Sequence, residues 1–176
     1  MSSVRYALAI CGICVGGAVG LLSIVLDRHL AGLPTSVICL SGLALGLLLI
    51  VFTRFWEPAQ ALEIFALVLI GMPMPYLLFA IHGAPLPWLG LEGIGLVLFG
   101  SMGWGGLRGS PRLVALGWAL HSVWDVGLHW VGPGARYTVH WYPVVCLCAD
   151  LSIAVYVACV YMWPGDRQSA VRLPTR

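Results

Sequence analysis

Six long apolar stretches, separated by short connections, constrain this chain more than any other feature of its sequence. A helix needs about 20 mostly apolar residues to cross a bilayer. The stretches meet this length and run over about 6–26, 34–53, 61–81, 87–106, 113–131 and 142–163. Their apolar runs are continuous, whereas a transmembrane β-barrel needs short alternating segments. The sequence therefore predicts an all-α, six-helix transmembrane bundle.

The charged residues are too few for a water-soluble surface. They make up 9% of the chain, against roughly 25% in a soluble domain. The connections leave no room for a second domain, so a single membrane domain is expected over residues 1–176, ending in a basic tail, 164–176. The expected partner is the lipid bilayer, with no nucleic acid, and the oligomeric state is left open.

The arginines predict the orientation of the bundle. Of the 9 basic residues, all but Arg28 and Arg136 fall on one side of the six spans. Because cytoplasmic loops are enriched in Lys and Arg, both termini are expected in the cytoplasm (N-in/C-in) of a multi-pass plasma-membrane protein. A cleaved signal peptide is the competing interpretation of the first span. That stretch is long for a signal peptide and lacks a clear small-x-small cleavage site.

Small residues predict that the first and the second span each pack closely on a neighbouring helix. Gly12, Gly16 and Gly20 recur at four-residue spacing in the first span, and Gly42 and Gly46 do so in the second. Such spacing lets helix backbones approach closely in lipid, so these glycines are expected to be scaffold.

The cysteines are expected to serve mostly as small apolar side chains. Cys11 and Cys14 form a C-x-x-C pair, a redox or zinc pattern, but they lie mid-span without a second pair of matching spacing. Cys39 and Cys159 receive the same interpretation. Only Cys146 is placed near the candidate site described below.

The string MPMPY places Pro73 and Pro75 near the middle of the third span. Proline removes a backbone donor and kinks a helix, and membrane helices tolerate this where neighbours satisfy the freed carbonyls. Two interpretations stay open: a kink that shapes the bundle, or an opening beside a binding cavity.

Three carboxylates on three different spans share one depth. With a rise of 1.5 Å per residue, Glu92, Asp125 and Asp150 lie about 8, 9 and 12 Å below the outer edge. A buried carboxylate costs about 2.5–3.5 kcal/mol on insertion scales, more than the roughly 0.6 kcal/mol of an average interhelical hydrogen bond. A functional site therefore explains these residues better than helix-to-helix contacts alone.

The string HSVWDVGLH puts His121, Asp125 and His129 on one helical stripe. A matching stripe on the next, antiparallel span contains Tyr142, Cys146 and Asp150. The short connection makes these two spans neighbours, so the stripes are expected to face each other. The stripe of the fifth span is about 12 Å long, and one metal ion would bind an i, i+4 pair, Asp125 with His129.

These residues predict one site that opens to the outer face. The expected catalytic residues are His121, Asp125, His129 and Asp150, and the expected supporting or alternate ligands are Glu92, His140 and Cys146. The carboxyl of Asp125 is expected within about 7–8 Å of at least two of these groups. Imidazole, carboxylate and thiolate suit zinc or copper, and no cofactor is otherwise specified.

The segments 117–129 and 141–150 resemble a family of small bacterial membrane proteins of unknown function. The shared pattern is G-W-x-x-H-x-x-W-D-x-x-x-H followed by P-x-x-C-x-x-x-D, which this chain matches from Gly117 to His129 and from Pro143 to Asp150. The resemblance implies a bacterial inner-membrane location and no particular reaction. In residue types alone, Asp125, His129 and His140 are similar to the copper site of membrane-bound methane and ammonia monooxygenases.

Three classes of function fit these features. The first is a membrane enzyme that uses a metal ion or an acid/base pair on a lipid-like substrate. The second is a proton- or ion-coupled carrier or channel. Carriers commonly contain internal repeats, but the sequence of spans 1–3 does not resemble that of spans 4–6. The third is a non-catalytic accessory subunit in which the polar residues form a structural network.

Overall fold

The protein, described here from a computed structural model that covers residues 2–30 and 32–163, is an all-α bundle of six helices. No strand occurs in these two ranges. The helices are α1 (Ser2–Leu30), α2 (Thr35–Thr53), α3 (Pro58–Gly71) with α4 (Met74–Ile81), α5 (Leu86–Leu107), α6 (Pro111–Trp124) and α7 (Tyr142–Val157). The all-α, six-helix prediction is confirmed. The basic tail, 164–176, lies outside the described residues.

Five of these helices are long and apolar enough to cross a membrane, among the residues that the structure describes: Ser3–Leu30, Thr35–Thr53, Pro58–Ile81, Leu86–Leu107 and Tyr142–Met162. The chain is therefore a membrane protein by the length and composition of its helices. The predicted span 113–131 is not among the five. The α-helical part of this span has only 14 residues. The span as a whole also contains four of the buried polar residues, His121, Ser122, Asp125 and His129.

Proline and polar caps fix where several helices begin. Pro58 and Pro111 open α3 and α6, where a missing N–H costs no hydrogen bond. Glu57 and Gln60 form a reciprocal capping box at the start of α3. Gly109 has a φ of 89° in the turn between α5 and α6, a conformation that L side chains rarely adopt.

The predicted glycine contacts are confirmed. Gly12 and Gly16 of α1 lie directly against the backbone of α3, and Gly42 and Gly46 of α2 lie against α7. A Cβ atom at any of these positions would collide with the facing helix. The apolar core beneath them packs α3, α5, α6 and α7 together around fully buried side chains such as Phe65 and Trp118.

A disulfide joins Cys39 of α2 to Cys148 of α7. The interpretation of Cys39 as a small apolar side chain is therefore wrong. Sequence reasoning missed the bond because the two residues are 109 positions apart and only the packing of α2 on α7 brings them together. Cys11, Cys14 and Cys159 are free and lie on the exposed face of the bundle.

Candidate functional site: a buried His–Asp–Asp cluster

Two irregularities in the helices position the polar residues. The third span is interrupted within MPMPY, so that α3 ends at Gly71 and α4 begins at Met74, directly after the first proline. The fifth span changes from α to π geometry at Asp125 and continues to Trp130 as a π-helical turn. π-helical turns are rare and occur frequently at functional sites.

His121, Asp125 and Asp150 form the centre of the site, here called the triad. Each of the three side chains has 0% exposure. Nδ1 of His121 lies 2.8 Å from Oδ2 of Asp150 and 3.4 Å from Oδ2 of Asp125. One potential ligand atom from each residue lies within 4.8 Å of those of the other two. The carboxyl of Asp125 thus has two of the predicted groups within the distance expected from the sequence.

Tyr76 connects the interrupted third span to the triad. Its hydroxyl donates a 2.6 Å hydrogen bond to Oδ1 of Asp125. Its ring stacks on the imidazole of His129, with centroids 3.9 Å apart and planes inclined by 16°. Tyr76 follows Pro75 in the first turn of α4, and its side chain is buried in the bundle interior.

His129 and Glu92 form a second buried pair beside the triad. Nε2 of His129 lies 3.5 Å from Oε1 of Glu92, and both side chains are buried. On the other side of the ring, Nδ1 of His129 lies 3.0 Å from the Thr138 hydroxyl, which donates to the Gly134 carbonyl. A hydroxyl has one proton to donate, so with that proton on the Gly134 carbonyl the Thr138 oxygen accepts from Nδ1–H of His129. Thr138 therefore orients the imidazole with Nε2 toward Glu92.

Several buried polar atoms of the site have no hydrogen-bond partner: Oε1 of Glu92, Nε2 of His121, Oδ2 of Asp125, Nε2 of His129 and Oδ1 of Asp150. Buried polar atoms in folded proteins are almost always hydrogen-bonded to protein or to ordered water. Five such atoms thus lie on the residues of the triad and of the Glu92–His129 pair.

Aromatic rings enclose the polar groups. Phe99 of α5 meets His121 edge to face, with centroids 4.7 Å apart. Trp88, near the start of α5, packs edge-on against His129 at 6.1 Å. Apolar rings beside buried polar groups lower the local dielectric, which strengthens the charge interactions among those groups.

The structure brings five of the predicted residues together in two groups and leaves Cys146 and His140 outside them. His121, Asp125 and Asp150 make up the triad, and His129 with Glu92 makes up the adjacent pair. Cys146 is buried beside Tyr76 and Tyr142. His140 is exposed in the turn before α7 and joins neither group. The polar stripes of the fifth and sixth spans face each other, as predicted. Both α6 and the π-helical turn pack on α7, and His121 contacts Asp150.

The ligand combination differs from the expected pair of Asp125 with His129. Asp125 groups with His121 and Asp150, whereas the ring of His129 turns toward Glu92. A π-helical turn holds more residues than an α-helical turn, so position i+4 no longer returns to the same face. The change of geometry at Asp125 was not visible in the sequence.

Two residues of the site were missed by sequence reasoning. Tyr76 stood within MPMPY without an assigned role, and its hydrogen bond to Asp125 of another span had no sequence signal. Thr138 lies in the outer connection, and no sequence pattern marked it as the partner of His129.

The family of unknown function DUF6010 matches residues 37–162, which include every residue of the triad and of the Glu92–His129 pair. No curated protein and no solved structure matches the chain. Because the match spans well over half of the sequence, the chain belongs to the family of unknown function DUF6010.

Proposed function

We propose that this chain is a multi-pass plasma-membrane enzyme that binds a divalent metal ion, zinc in the first instance, through His121, Asp125 and Asp150. One observation carries the proposal: three fully buried side chains of ligand type converge within 4.8 Å. Zinc takes imidazole nitrogen and carboxylate oxygen as ligands, and catalytic zinc sites use three protein ligands with one position left open.

The charge of the triad supports a divalent ion. Two ionised carboxylates in an apolar enclosure would carry two negative charges close together, which is very costly without compensation. One divalent cation with a neutral imidazole neutralises them, and so do two protons. The protons held among Nδ1 of His121 and the two carboxylates are the ones that a divalent cation would replace.

Tyr76 supports the geometry of such a site. By donating to Oδ1 of Asp125 it leaves Oδ2 of the same carboxylate free, on the side that faces His121. Hydrogen bonds of this kind orient metal-binding carboxylates. A cation in the triad would supply Lewis-acid activation of a substrate oxygen.

The Glu92–His129 pair supports enzymatic use of the site. General acid–base catalysis needs a titratable group held within reach of the reacting atoms and oriented by a third group. His129 is held between Thr138 and Glu92, and its ring stacks on Tyr76, which contacts the triad. We assign His129 the role of proton donor and acceptor, with Glu92 as its charge partner.

The disulfide supports a location of the site near the outer face of a bacterial inner membrane. Disulfides persist in the periplasm and are rare in the cytosol. Cys39 and Cys148 lie near the first residues of α2 and α7, the ends that the arginine distribution assigns to the outside. The triad lies near the same ends, because Asp150 is two residues from Cys148.

Metal analysis of the purified protein tests the proposal. We expect about one zinc ion per chain, strongly reduced in Asp150→Asn, which removes one negative charge at nearly constant volume. The matched control is Glu63→Gln, which neutralises a carboxyl in α3 that belongs to neither polar group. Equal metal content in the wild type and in Asp150→Asn would refute the triad as the metal site.

A second candidate is a proton-coupled carrier, favoured by the interruption of the third span beside the polar groups. Proton uptake into vesicles that contain the metal-free protein distinguishes the two. Uptake that requires Asp150 and proceeds without metal would favour the carrier, whereas the enzyme proposal predicts none.

A further inference from the structure

The candidate site is closed in this structure. The triad residues have 0% exposure, and Glu92 and His129 have 1% and 2%. A ligand therefore reaches these groups only if part of the surrounding wall moves. Most of that wall is α-helix held by the apolar core. The exception is the stretch 132–138 between the π-helical turn and α7, here called the outer segment, which contains the short 3-10 helix Pro133–Arg136.

The outer segment lies directly on His129. Gly134 is buried, and a Cβ atom built on it would lie 3.0 Å from Nδ1 of His129 and would collide with the ring of Trp88. Tyr137 packs on the same indole, with ring centroids 5.9 Å apart. Arg136 of the same segment is exposed. The outer segment thus separates the imidazole of His129 from the outside of the bundle.

One hydrogen bond joins the outer segment to another part of the bundle, among those that the structure describes. In it the Thr138 hydroxyl accepts from Nδ1 of His129 at 3.0 Å. The other hydrogen bonds of the segment connect two of its own residues: Ala135 to Gly132, Tyr137 to Gly134, Arg136 to Pro133 and Thr138 to Gly134. Breaking one hydrogen bond and the ring contact with Trp88 therefore frees the segment as a unit, whereas moving a helix would disrupt the core.

We infer that the outer segment is a lid, which opens toward the outer side of the membrane and admits a substrate past Thr138 to His129. The inference rests on the proposed function, because it assigns the route into the same site. Lids of this kind keep water away from reacting groups while they are closed. A route from the outer side favours a substrate whose reacting group is polar and lies at or beyond the membrane surface, because the hydrocarbon layer excludes such groups.

Acylation of histidine by diethyl pyrocarbonate tests the lid in the full-length protein in detergent. The reagent is small and dissolves in water, and peptide mass spectrometry reports each histidine separately. In the wild type we expect His129 to react to completion, but about tenfold or more slowly than the exposed His29. Thr138→Val removes the hydrogen bond to the bundle and should speed the reaction of His129 about fivefold. Gly134→Ala should speed it as well, because the added methyl group collides with Trp88.

Two matched controls separate the lid from general effects of substitution. Gly83→Ala makes the same change in another turn of the chain, at a glycine with open space around it, and should leave the rate of His129 unchanged. Thr138→Ser keeps the hydroxyl and should react at nearly the wild-type rate. Amide hydrogen exchange in α3 reports opening of the whole bundle, and it should be equal in all variants.

Three results would overturn the lid. His129 that reacts as fast as His29 in the wild type is not covered, and His129 that never reacts, in the wild type or in either lid variant, is covered permanently. Faster reaction of His129 together with faster exchange in α3 would describe a loosened bundle. Zinc content is measured on the same samples. Zinc-free wild-type protein with the expected labelling refutes the proposed function, whereas zinc-bound protein with an unreactive His129 refutes the lid alone.

Discussion

The Tyr76 hydroxyl lies 2.6 Å from Oδ1 of Asp125, a contact that joins the interrupted third span to the π-helical turn of the fifth span. Both irregular backbone segments of the two spans thus meet at one hydrogen bond. Neither side chain is accessible from outside the bundle. The contact therefore determines the position of the Asp125 carboxyl in relation to His121 and Asp150.

Tyr76→Phe is expected to weaken zinc binding without abolishing it. Removing a hydrogen bond that orients a metal ligand typically costs about 10–100-fold in affinity. The measurement is competition for zinc against a chelator of known affinity. Tyr156→Phe is the control, because Tyr156 packs against Phe65, which belongs to the apolar core. Equal affinities for wild type and Tyr76→Phe would show that Tyr76 does not orient Asp125 for the metal.

Thr138→Val is expected to destabilise the fold locally around His129. The substitution keeps the shape of the side chain but leaves Nδ1 of His129 without its acceptor, which costs about 1–3 kcal/mol for a buried donor. Thermal unfolding in detergent measures the effect. Thr138→Ser retains the hydroxyl and should restore most of the stability; if Ser and Val behave alike, the hydroxyl has no such role.

Zinc binding is expected to release protons and to strengthen as the pH rises. The metal and the protons compete for the same nitrogen and oxygen atoms of the triad, so a higher proton concentration lowers the apparent affinity. Titration in weakly buffered detergent should show release of up to about two protons per metal ion, the number that balances the charge of the two carboxylates. Binding that is independent of pH would place the metal elsewhere.

Cys39 and Cys148 are expected to resist alkylation until a reductant is added. Under denaturing conditions without reductant, only the free thiols should react, namely Cys11, Cys14, Cys146 and Cys159. Mass spectrometry counts the modified residues, and a Cys39→Ser variant should expose Cys148 as one additional reactive thiol. Six reactive thiols in unreduced wild-type protein would contradict the disulfide.

A reporter fused to the C-terminus is expected to report a cytoplasmic location. The reason is the excess of arginine on that side of the spans. A fusion in the connection between α1 and α2 provides the internal control, because it should report the opposite side. If the C-terminal fusion reported the outside and the fusion between α1 and α2 reported the cytoplasm, the orientation would be reversed. The disulfide and the triad would then lie near the cytoplasmic face.

Hydropathy located most helices to within a few residues. The span predicted at 87–106 is Leu86–Leu107, and the one predicted at 142–163 is Tyr142–Met162. The first helix is longer than predicted, Ser2–Leu30 against 6–26. Hydropathy measures the length that matches the hydrocarbon layer, whereas a helix continues beyond that layer wherever its backbone hydrogen bonds are satisfied.

The burial of the three carboxylates was predictable, and their pairings were not. Rise per residue placed Glu92, Asp125 and Asp150 at one level, and all three are buried in the interior. Which groups meet depends on rotation about each helix axis, and the π-helical turn altered that rotation after Asp125. Glu92 consequently meets His129, a pair for which spacing along the chain offered no indication.

The π-helical turn at Asp125–Trp130 also determines which way the residues beyond it face. A π-helical turn is equivalent to one residue added to an α-helix. If the same six residues adopted regular α-helix, everything beyond them would be rotated by about 100°, the angle of one residue. His129 would then leave Glu92 and Tyr76, although no residue of the site had been substituted. The contacts of His129 therefore depend on the backbone geometry of this turn as well as on the side chains that make them.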